Sequence, residues 1–409
     1  MARDGISIKL LNGGLGRRQP TEDAVFGFVS TGMSTETLEW GKVYQLKGTR
    51  DAKLLGLDEE YDKDNNSLLY HHIQRFFMRN PNAELHILLA PSGASMQEMV
   101  DKDMPYGQKL LKEAGGRIKV LFVADSMGNL GSSPLSTTIA TAQDLHDFEF
   151  SKFRYVDIVL EGRRVGPDRG PMGEPMGGLM IEDLRALTAP NVSVVIAQDP
   201  SATAIDPNYA AVGDFCGHLS AIAVSQNVGE QIAEFNMVDV ANDAFVSANV
   251  SSGIPVSSLT DDDLDSLDDY GYIFLAPVSG LPGLYWNDSH TCTLISDDYA
   301  FIERNRVINK AIRLVRTALL PKVKGRVKVD AVTGKILPEE RKALENTISS
   351  SLDVLVENGD LSGGVDAYID PDQNILQTDE ITTEITFVPV AIGRKLTLSI
   401  GFKNPLKSN

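Results

Sequence analysis

Four short apolar runs dominate the first half of the chain, and each has the length of a buried strand. Segments with apolar residues at helical spacing separate them, near 108–114, 137–145 and 181–187. Strands that alternate with helices are typical of a largely parallel sheet buried on both faces. We therefore predict an α/β fold, mixed α+β overall, with strands at 85–90, 118–124, 156–160 and 192–197.

Further helices and strands are predicted on either side of these runs. Helical spacing favours helices over 65–79, 218–235 and 338–356, and Pro81 and Gly359 follow the first and the last of them. Thr260 and the aspartates after it are typical of a helix N-cap with an acidic first turn. Strands are predicted at 272–276, 324–329 and 382–390.

Both ends of the chain alternate apolar and polar residues, which indicates half-buried strands. In the last segment, Thr397, Ser399 and Gly401 separate the apolar residues. Strands at chain ends are suited to pairing with the sheets of neighbouring subunits, so we expect intersubunit strands here. Their apolar residues are Ile6, Ile8 and Leu10 at the start, and Leu396, Leu398, Ile400 and Phe402 at the end.

The segment 299–328 has the clearest helical pattern and the strongest charge bias of the chain. Between Ile302 and Lys328 there are nine basic residues and one acidic residue, in a chain of net charge −18. Pro321 ends the predicted helix. On a helical wheel, Arg306, Lys310 and Arg313 form a basic face, with Arg316 at the margin of that face. The opposite face is an apolar stripe of Phe301, Ile308, Ala311, Ile312, Val315 and Leu319. This pattern predicts either a solvated helix face or a docking helix for an acidic partner.

Composition limits the classes of function. The acidic balance argues against nucleic-acid binding, and no apolar run is long enough for a membrane span or a signal peptide. We therefore expect a cytoplasm-like compartment and no membrane insertion. Cys216 and Cys292 are too few for a disulfide framework or a zinc cluster.

Candidate chemistry is sparse. The glycines at 13, 14 and 16 lack the Gly-Lys-Ser/Thr ending of a phosphate loop, and adjacent His71 and His72 cannot share one helix face to hold a metal. We interpret both histidines as surface or boundary residues. Cys216 and His218 are the only suggestive nucleophile and base, but their spacing aims them apart on a helix. The sequence predicts no catalytic, cofactor or metal site.

The C-terminal half contains a recognisable series of features, which are 271–274, Trp286 with His290 and Thr291, the helix with Arg304 and Arg306, the helix 344–356 that leads into 357–361, and the closing strands. In this order, these features resemble the tail sheath proteins of contractile phages and related injection systems. Tyr272 and Ile273 stand where the family pattern has Ile-Asn. Upstream, 68–77 and 81–85 look like the branch found in Bacteroidetes phage tails. The likeness is specific over 255–402 and looser before that.

The resemblance implies a multi-domain structural subunit that stacks in rings around an inner tube and contracts to drive the tube through an envelope. It implies, as partners, other copies of the chain, the tube protein, and baseplate and terminator proteins. It also implies assembly in a bacterial host cytoplasm and a place in a virion tail or injection particle. On this basis we expect an N-terminal arm at 1–20, an α/β region at 21–250, a C-terminal sheath domain at 251–392 and an arm at 393–409.

Within this framework, Arg306, Lys310, Arg313 and Arg316 are expected to face the acidic surface of the tube. The competing interpretation pairs these bases with Glu339, Glu340 or Asp353. Two other functions stay open, which are another tail component such as a baseplate or terminator protein, and an α/β enzyme of unknown chemistry. A sheath should form long tubes, whereas an enzyme should be a compact monomer with a ligand pocket.

Overall fold

The computed structural model describes residues 22–128, 134–167 and 181–402. The predicted N-terminal strand with Ile6, Ile8 and Leu10, and the glycines that follow it, lie outside these ranges. The described part of the chain divides into two compact units, one ending at Leu314 and the other beginning at Val315.

A six-stranded sheet forms the centre of the first unit. In chain order its strands are β1 (Val25–Gly32), β2 (Val43–Leu46), β3 (Glu84–Pro91), β4 (Val120–Ala124), β5 (Asp157–Glu161) and β6 (Val192–Val195). Their order in the sheet is β2-β3-β1-β4-β5-β6. Only β2 runs antiparallel to its neighbour, so the predicted α/β fold with a largely parallel sheet is confirmed.

The sequence patterns did not predict the central strand β1, nor the short edge strand β2. All eight residues of β1 are buried. Phe26 and Phe28 lie on one face of the sheet, where the ring centroids of Phe26 and Phe76 are 5.6 Å apart. Gly27 lies on the opposite face, next to Leu110. Because helices cover both faces, the sequence of the strand lacks the alternation of apolar and polar residues that marks a half-buried strand.

Helices in the described residues connect and cover these strands. The predicted helix over 65–79 is confirmed, whereas 181–187 holds only a 3₁₀ turn. The helix predicted over 218–235 is wrong, because the α-helix there ends at Ala221 and only a 3₁₀ turn at Ala233–Phe235 follows within the range. The α-helices of the first unit are α1 (Thr49–Leu54), α2 (Glu59–Asn65), α3 (Leu69–Arg79), α4 (Met96–Val100), α5 (Gly107–Glu113), α6 (Leu135–Ser151), α7 (Val212–Ala221), α8 (Asp261–Asp269) and α9 (Ile302–Leu319), the last of which runs into the second unit.

Short antiparallel pairs complete the first unit. These are β7 (Ala197–Gln198) with β8 (Asn249–Val250), and β9 (Leu275–Ala276) with β10 (Tyr285–Trp286). Just before β9, Ile273 forms a parallel bridge to Val195 at the end of β6. The expected domain boundary at 250 therefore lies inside the first unit.

The second unit contains a helix, a hairpin and a short helix. These are α10 (Pro338–Glu357), β11 (Leu361–Ile369), α11 (Ile375–Thr378) and β12 (Thr383–Pro389). The predicted helix over 338–356 and the predicted strand at 382–390 are confirmed. The strand predicted at 324–329 is absent from the described residues, where Val329 makes only an isolated bridge to Ile336.

Two glycines allow α7 to pack directly on α3. A Cβ added at Gly213 would lie 2.4 Å from the carbonyl oxygen of His72, and one added at Gly217 would lie 2.6 Å from that of Phe76. Such distances are too short for any carbon atom, so the two helix backbones could not approach this closely with larger residues.

Burial of His72 corrects its interpretation as a surface or boundary residue. Its side chain is 1% exposed and packs against Phe28 and Tyr209. Among the described residues, neither ring nitrogen has a hydrogen-bond partner. Burial lowers the pKa of His72 to about 3, because an apolar surrounding disfavours the charged form.

We predict that Gly213→Ala and Gly217→Ala each lower the free energy of unfolding by about 1–3 kcal/mol, since overpacking outweighs the better helix propensity of alanine. Urea titration measures the loss. Gly93→Ala is the matched control, because no atom lies within 4 Å of its added Cβ. Unchanged stability of both helix variants would contradict the packing argument.

We also predict that His72→Leu makes the acid-side loss of stability shallower. In the wild type, the unfolded chain binds a proton at His72 near pH 6.5, whereas the folded chain does so only near pH 3. The free energy of unfolding should therefore fall as the pH drops through this window, by up to about 1.4 kcal/mol per pH unit. Urea titrations at pH 7, 6 and 5 compare the two slopes, and equal slopes would refute the assignment.

Candidate assembly surfaces

Helix α9 confirms the predicted basic helix, but its first half is buried on nearly every side. Arg306 is 4% exposed, and its guanidinium donates to the carbonyl oxygens of Ala223, at 3.3 Å, and Ile222. The prediction that Arg306 faces outward is therefore wrong. A helical wheel could not show this, because the backbone acceptors that make burial of this charge tolerable lie more than eighty residues away in the chain.

Lys310 and Arg313 face an acidic residue of their own unit. The Lys310 ammonium lies 2.8 Å from an Asp23 carboxylate oxygen, and a guanidinium nitrogen of Arg313 lies 3.8 Å from the other. For these two residues Asp23 is thus an acidic partner, and the pairing with Glu339, Glu340 or Asp353 that we considered stays a prediction. Contact of Lys310, Arg313 and Arg316 with an inner tube stays a prediction.

The C-terminal segment 395–402 belongs to no helix or strand. Its four apolar side chains, Leu396, Leu398, Ile400 and Phe402, are each more than four-fifths exposed. Exposed apolar side chains at every second position are unusual in a stable surface and mark an interaction segment. Pairing of this segment between subunits stays a prediction.

The hairpin of β11 and β12 has edges to which a segment of this kind could be added as a strand. Leu361, Ala367 and Ile369 of β11 are buried, as are Ile348 and Leu352 of the adjacent α10. One face of the hairpin thus packs on the helix. Within the described residues each strand has a single sheet neighbour, so the outer edge of each strand has no strand partner. A two-stranded sheet with unpaired edges can accept added strands.

Buried ion pairs fill the carboxyl edge of the large sheet, where α/β enzymes commonly bind ligands. Thr31 donates to Asp125 at 2.6 Å across the ends of β1 and β4. Arg163 lies between Glu161 and Asp206, at 3.2 and 2.6 Å. Burial raises the pKa of Glu161 to about 7. These contacts tie the strand ends together.

Cys216 and His218 do not form a reactive pair. Cys216 is fully buried, and burial raises the pKa of its thiol well above the usual range. His218 lies 3.1 Å from the Met237 sulfur, and burial lowers its pKa to about 4. A thiol with a raised pKa is a poor nucleophile.

Residues 22–128, 134–167 and 181–402 contain no group of three His, Cys, Asp or Glu side chains placed to hold a metal ion. No helix in the same ranges combines the length and apolarity needed to cross a membrane.

Similar proteins share both the sequence pattern and the fold. The DUF2586 N-terminal domain model matches residues 3–290, and the DUF2586 C-terminal domain model matches residues 298–407. No curated protein sequence matches the chain.

Three solved structures align over almost the whole chain. The contracted helical sheath of the anti-feeding prophage aligns with a TM-score of 0.60 and 15% identity, covering 98% of this chain and 99% of that one. A chain in the baseplate of the same prophage gives 0.59 and 14%, with coverage of 98% and 99%. The contracted PVC sheath complex of an extracellular contractile injection system gives 0.58 and 14%, with coverage of 98% and 98%. The chain therefore has the fold of contractile sheath proteins.

Sequence patterns did not reveal Asp23 as the partner of the basic helix. The available signal was the acidic pair Glu22 and Asp23 directly before the apolar run that becomes β1. Without that strand the pair had no place in the fold, so its approach to α9 could not be predicted.

We predict that Arg306→Glu lowers the free energy of unfolding by about 3 kcal/mol or more, since it places a buried carboxylate against carbonyl oxygens. Arg304→Glu, on the same helix but exposed, is the control and should change stability by less than about 1 kcal/mol. Urea titration of both variants is the measurement. Similar small effects would restore the outward-facing interpretation of Arg306.

Proposed function

We propose that this chain, which belongs to the DUF2586 family, is a subunit of a contractile sheath. Copies would stack in rings around an inner tube, and contraction of the stack would drive the tube through a cell envelope. The role is structural, and the chain would assemble in a bacterial cytoplasm into a phage tail or an injection particle. The sheath fold supports this proposal.

The observation that carries the proposal is the match between the C-terminal segment and the hairpin. The segment alternates apolar and polar residues over 396–402, as a strand with one buried face does. One face of the hairpin is covered by α10, and in the described residues its two edges have no strand partner. A segment from a neighbouring copy, added to either edge, would extend the sheet and its buried face.

The energy of such an exchange suits a lattice that must survive rearrangement. Each backbone hydrogen bond contributes about 0.5–1.5 kcal/mol net, and each apolar side chain that becomes buried adds about 1.5–3 kcal/mol. Several bonds and four apolar side chains would hold neighbours together firmly. The connection lies along one segment that belongs to no helix or strand, so the subunit bodies could rotate while it persists.

The inner tube and the proteins at the two ends of the sheath are the further partners. Contact with the tube would use Lys310, Arg313 and Arg316, three basic residues of α9 that are each partly exposed. Arg306 is not among them. Partly exposed ion pairs of about 0.2–1 kcal/mol each could set the register and still release.

A role in the baseplate is the second candidate, because a baseplate chain of the anti-feeding prophage aligns almost as well as the sheath chain. The two roles differ in what the purified chain builds. A sheath subunit continues from ring to ring, whereas a baseplate component stops at a closed ring or needs other chains.

Negative-stain microscopy of the purified chain tests the proposal. Long tubes of uniform diameter are the expected result. Single rings would favour the baseplate role, and monodisperse monomers at high concentration, with and without tube protein, would overturn both.

We predict that Leu398→Asp with Ile400→Asp abolishes tubes and leaves the subunit folded. Charges on the apolar face of the segment would have to be buried in the neighbour's sheet. Thr397→Asp with Ser399→Asp is the matched control, since it adds the same charge on the opposite face and should still give tubes. Circular dichroism checks folding and microscopy scores tubes. Equal behaviour of the two double variants would refute strand addition, as would tubes formed after deletion of 395–409 or of 1–16.

A further inference from the structure

Two acidic residues stand where the N-terminal residues join the folded body. Glu22 and Asp23 form a 3₁₀ turn that leads directly into β1. Residues 1–21 precede them along the chain, so any force that a neighbour applies to those residues reaches the body at Glu22. The contacts that hold this turn therefore decide which elements of the body bear the force.

The two carboxylates bind different parts of the first unit. Glu22 lies 3.1 Å from the ammonium of Lys119, directly before β4, and Asp23 lies 2.8 Å from that of Lys310 on α9. Arg313, one turn further along α9, approaches the same Asp23 carboxylate at 3.8 Å. Residues three apart share a helix face, so α9 presents both bases together.

The cluster is largely withdrawn from water. The exposed side-chain fractions are 7% for Lys119, 19% for Lys310, 15% for Arg313 and 23% for Asp23, whereas Glu22 is 76% exposed. Lys119, Lys310 and Arg313 lie against Glu22 and Asp23, and the buried Asp157 is a further negative charge near Arg313. Burial and then the charge of Arg313 lower the pKa of Lys119, as expected for cations held close together. Asp23 faces both bases of α9, which offsets part of the cost of withdrawing them from water.

Without these contacts, a pull would act directly on the first backbone hydrogen bonds of β1, which pairs with β3 from Val25 onward and whose Val25 carbonyl oxygen accepts from the Lys119 amide at 2.9 Å. A set of ion pairs before the strand spreads the same load over β4 and α9.

We infer that Glu22, Asp23, Lys119, Lys310 and Arg313 form an arm-root clamp, which anchors the N-terminal residues and passes tension into α9 instead of the end of β1. The inference rests on the proposed function for the source of the tension, but the clamp itself can be tested on single subunits. Helix α9 continues across the boundary into the second unit. The clamp therefore ties the N-terminal residues to the helix that leads to the C-terminal segment.

Hydrogen exchange of the unassembled full-length chain tests the clamp. In Asp23→Asn, the amides of residues 24–28 should exchange roughly tenfold faster, because a charged partner of buried cations is lost. The amides of β5 should keep their wild-type rates, which separates local opening from general destabilisation. Unchanged exchange at 24–28 would overturn the inference.

Glu39→Gln is the control for loss of an ordinary ion pair. It breaks the pair with Lys42, whose members are 56% and 68% exposed. Exchange at 24–28 should be unaffected, since exposed pairs contribute little and this one is not in the clamp. Faster exchange at 24–28 in this control would show that the measurement does not report on the clamp.

A charge swap supplies the decisive comparison. Asp23→Lys alone should speed exchange at 24–28 more than Asp23→Asn does, because it adds a fourth cation. Combining it with Lys310→Asp restores an opposite pair and should bring exchange back to within about threefold of wild type. Failure of the swap to recover any protection would overturn the clamp.

Assembly is scored separately on the same variants. If the wild type forms tubes, Asp23→Lys should shorten them or prevent them, and the swap should recover them. Absence of tubes in the wild type would overturn the proposed function, while the exchange data would still decide whether the clamp exists.

Discussion

Every residue of β1 is buried, so its backbone can find hydrogen-bond partners only in β3 and β4. An unpaired backbone group in such a place would cost several kcal/mol, up to about 7. The other parallel strands extend the sheet outward from this central strand. The helices of both faces pack against it, and the turn that carries Asp23 is positioned because it is the entry to this strand. The site on α9 thus depends on the centre of the sheet.

The sheet of the second unit, in contrast, has only two strands. Its hairpin is covered on one face by α10, but in the described residues the edges of β11 and β12 have no strand partner. One chain therefore combines a large sheet packed between helices with a small hairpin of two strands. The large sheet gives a rigid body, and the edges of the hairpin are where we propose that a neighbour connects. This division suits a subunit that keeps its shape while its neighbours move.

The sequence predicted the parallel runs well, because buried strands of four to six apolar residues leave a local pattern. It also predicted α10, whose proline start and glycine end are local signals. It failed at β1, where Gly27 and the closing Ser30 and Thr31 hide the apolar run, and at 218–235, where the helix lies earlier because Gly213 and Gly217 must meet α3. The burial of Arg306 and the partner of Lys310 depend on residues far away in the chain, which no periodicity can show.

The exposed segment at 395–402 also creates a hazard for the free subunit. A stretch of alternating apolar residues with a strand-like pattern can stack on its own copies as cross-β structure. Arg394 and Lys395 stand immediately before the apolar positions, and Lys403 and Pro405 stand after them. Stacked copies would bring these like charges into register, and proline cannot donate to a strand ladder. The flanking residues thus act as gatekeepers, so that a hairpin edge is a better destination for the segment than another copy of itself.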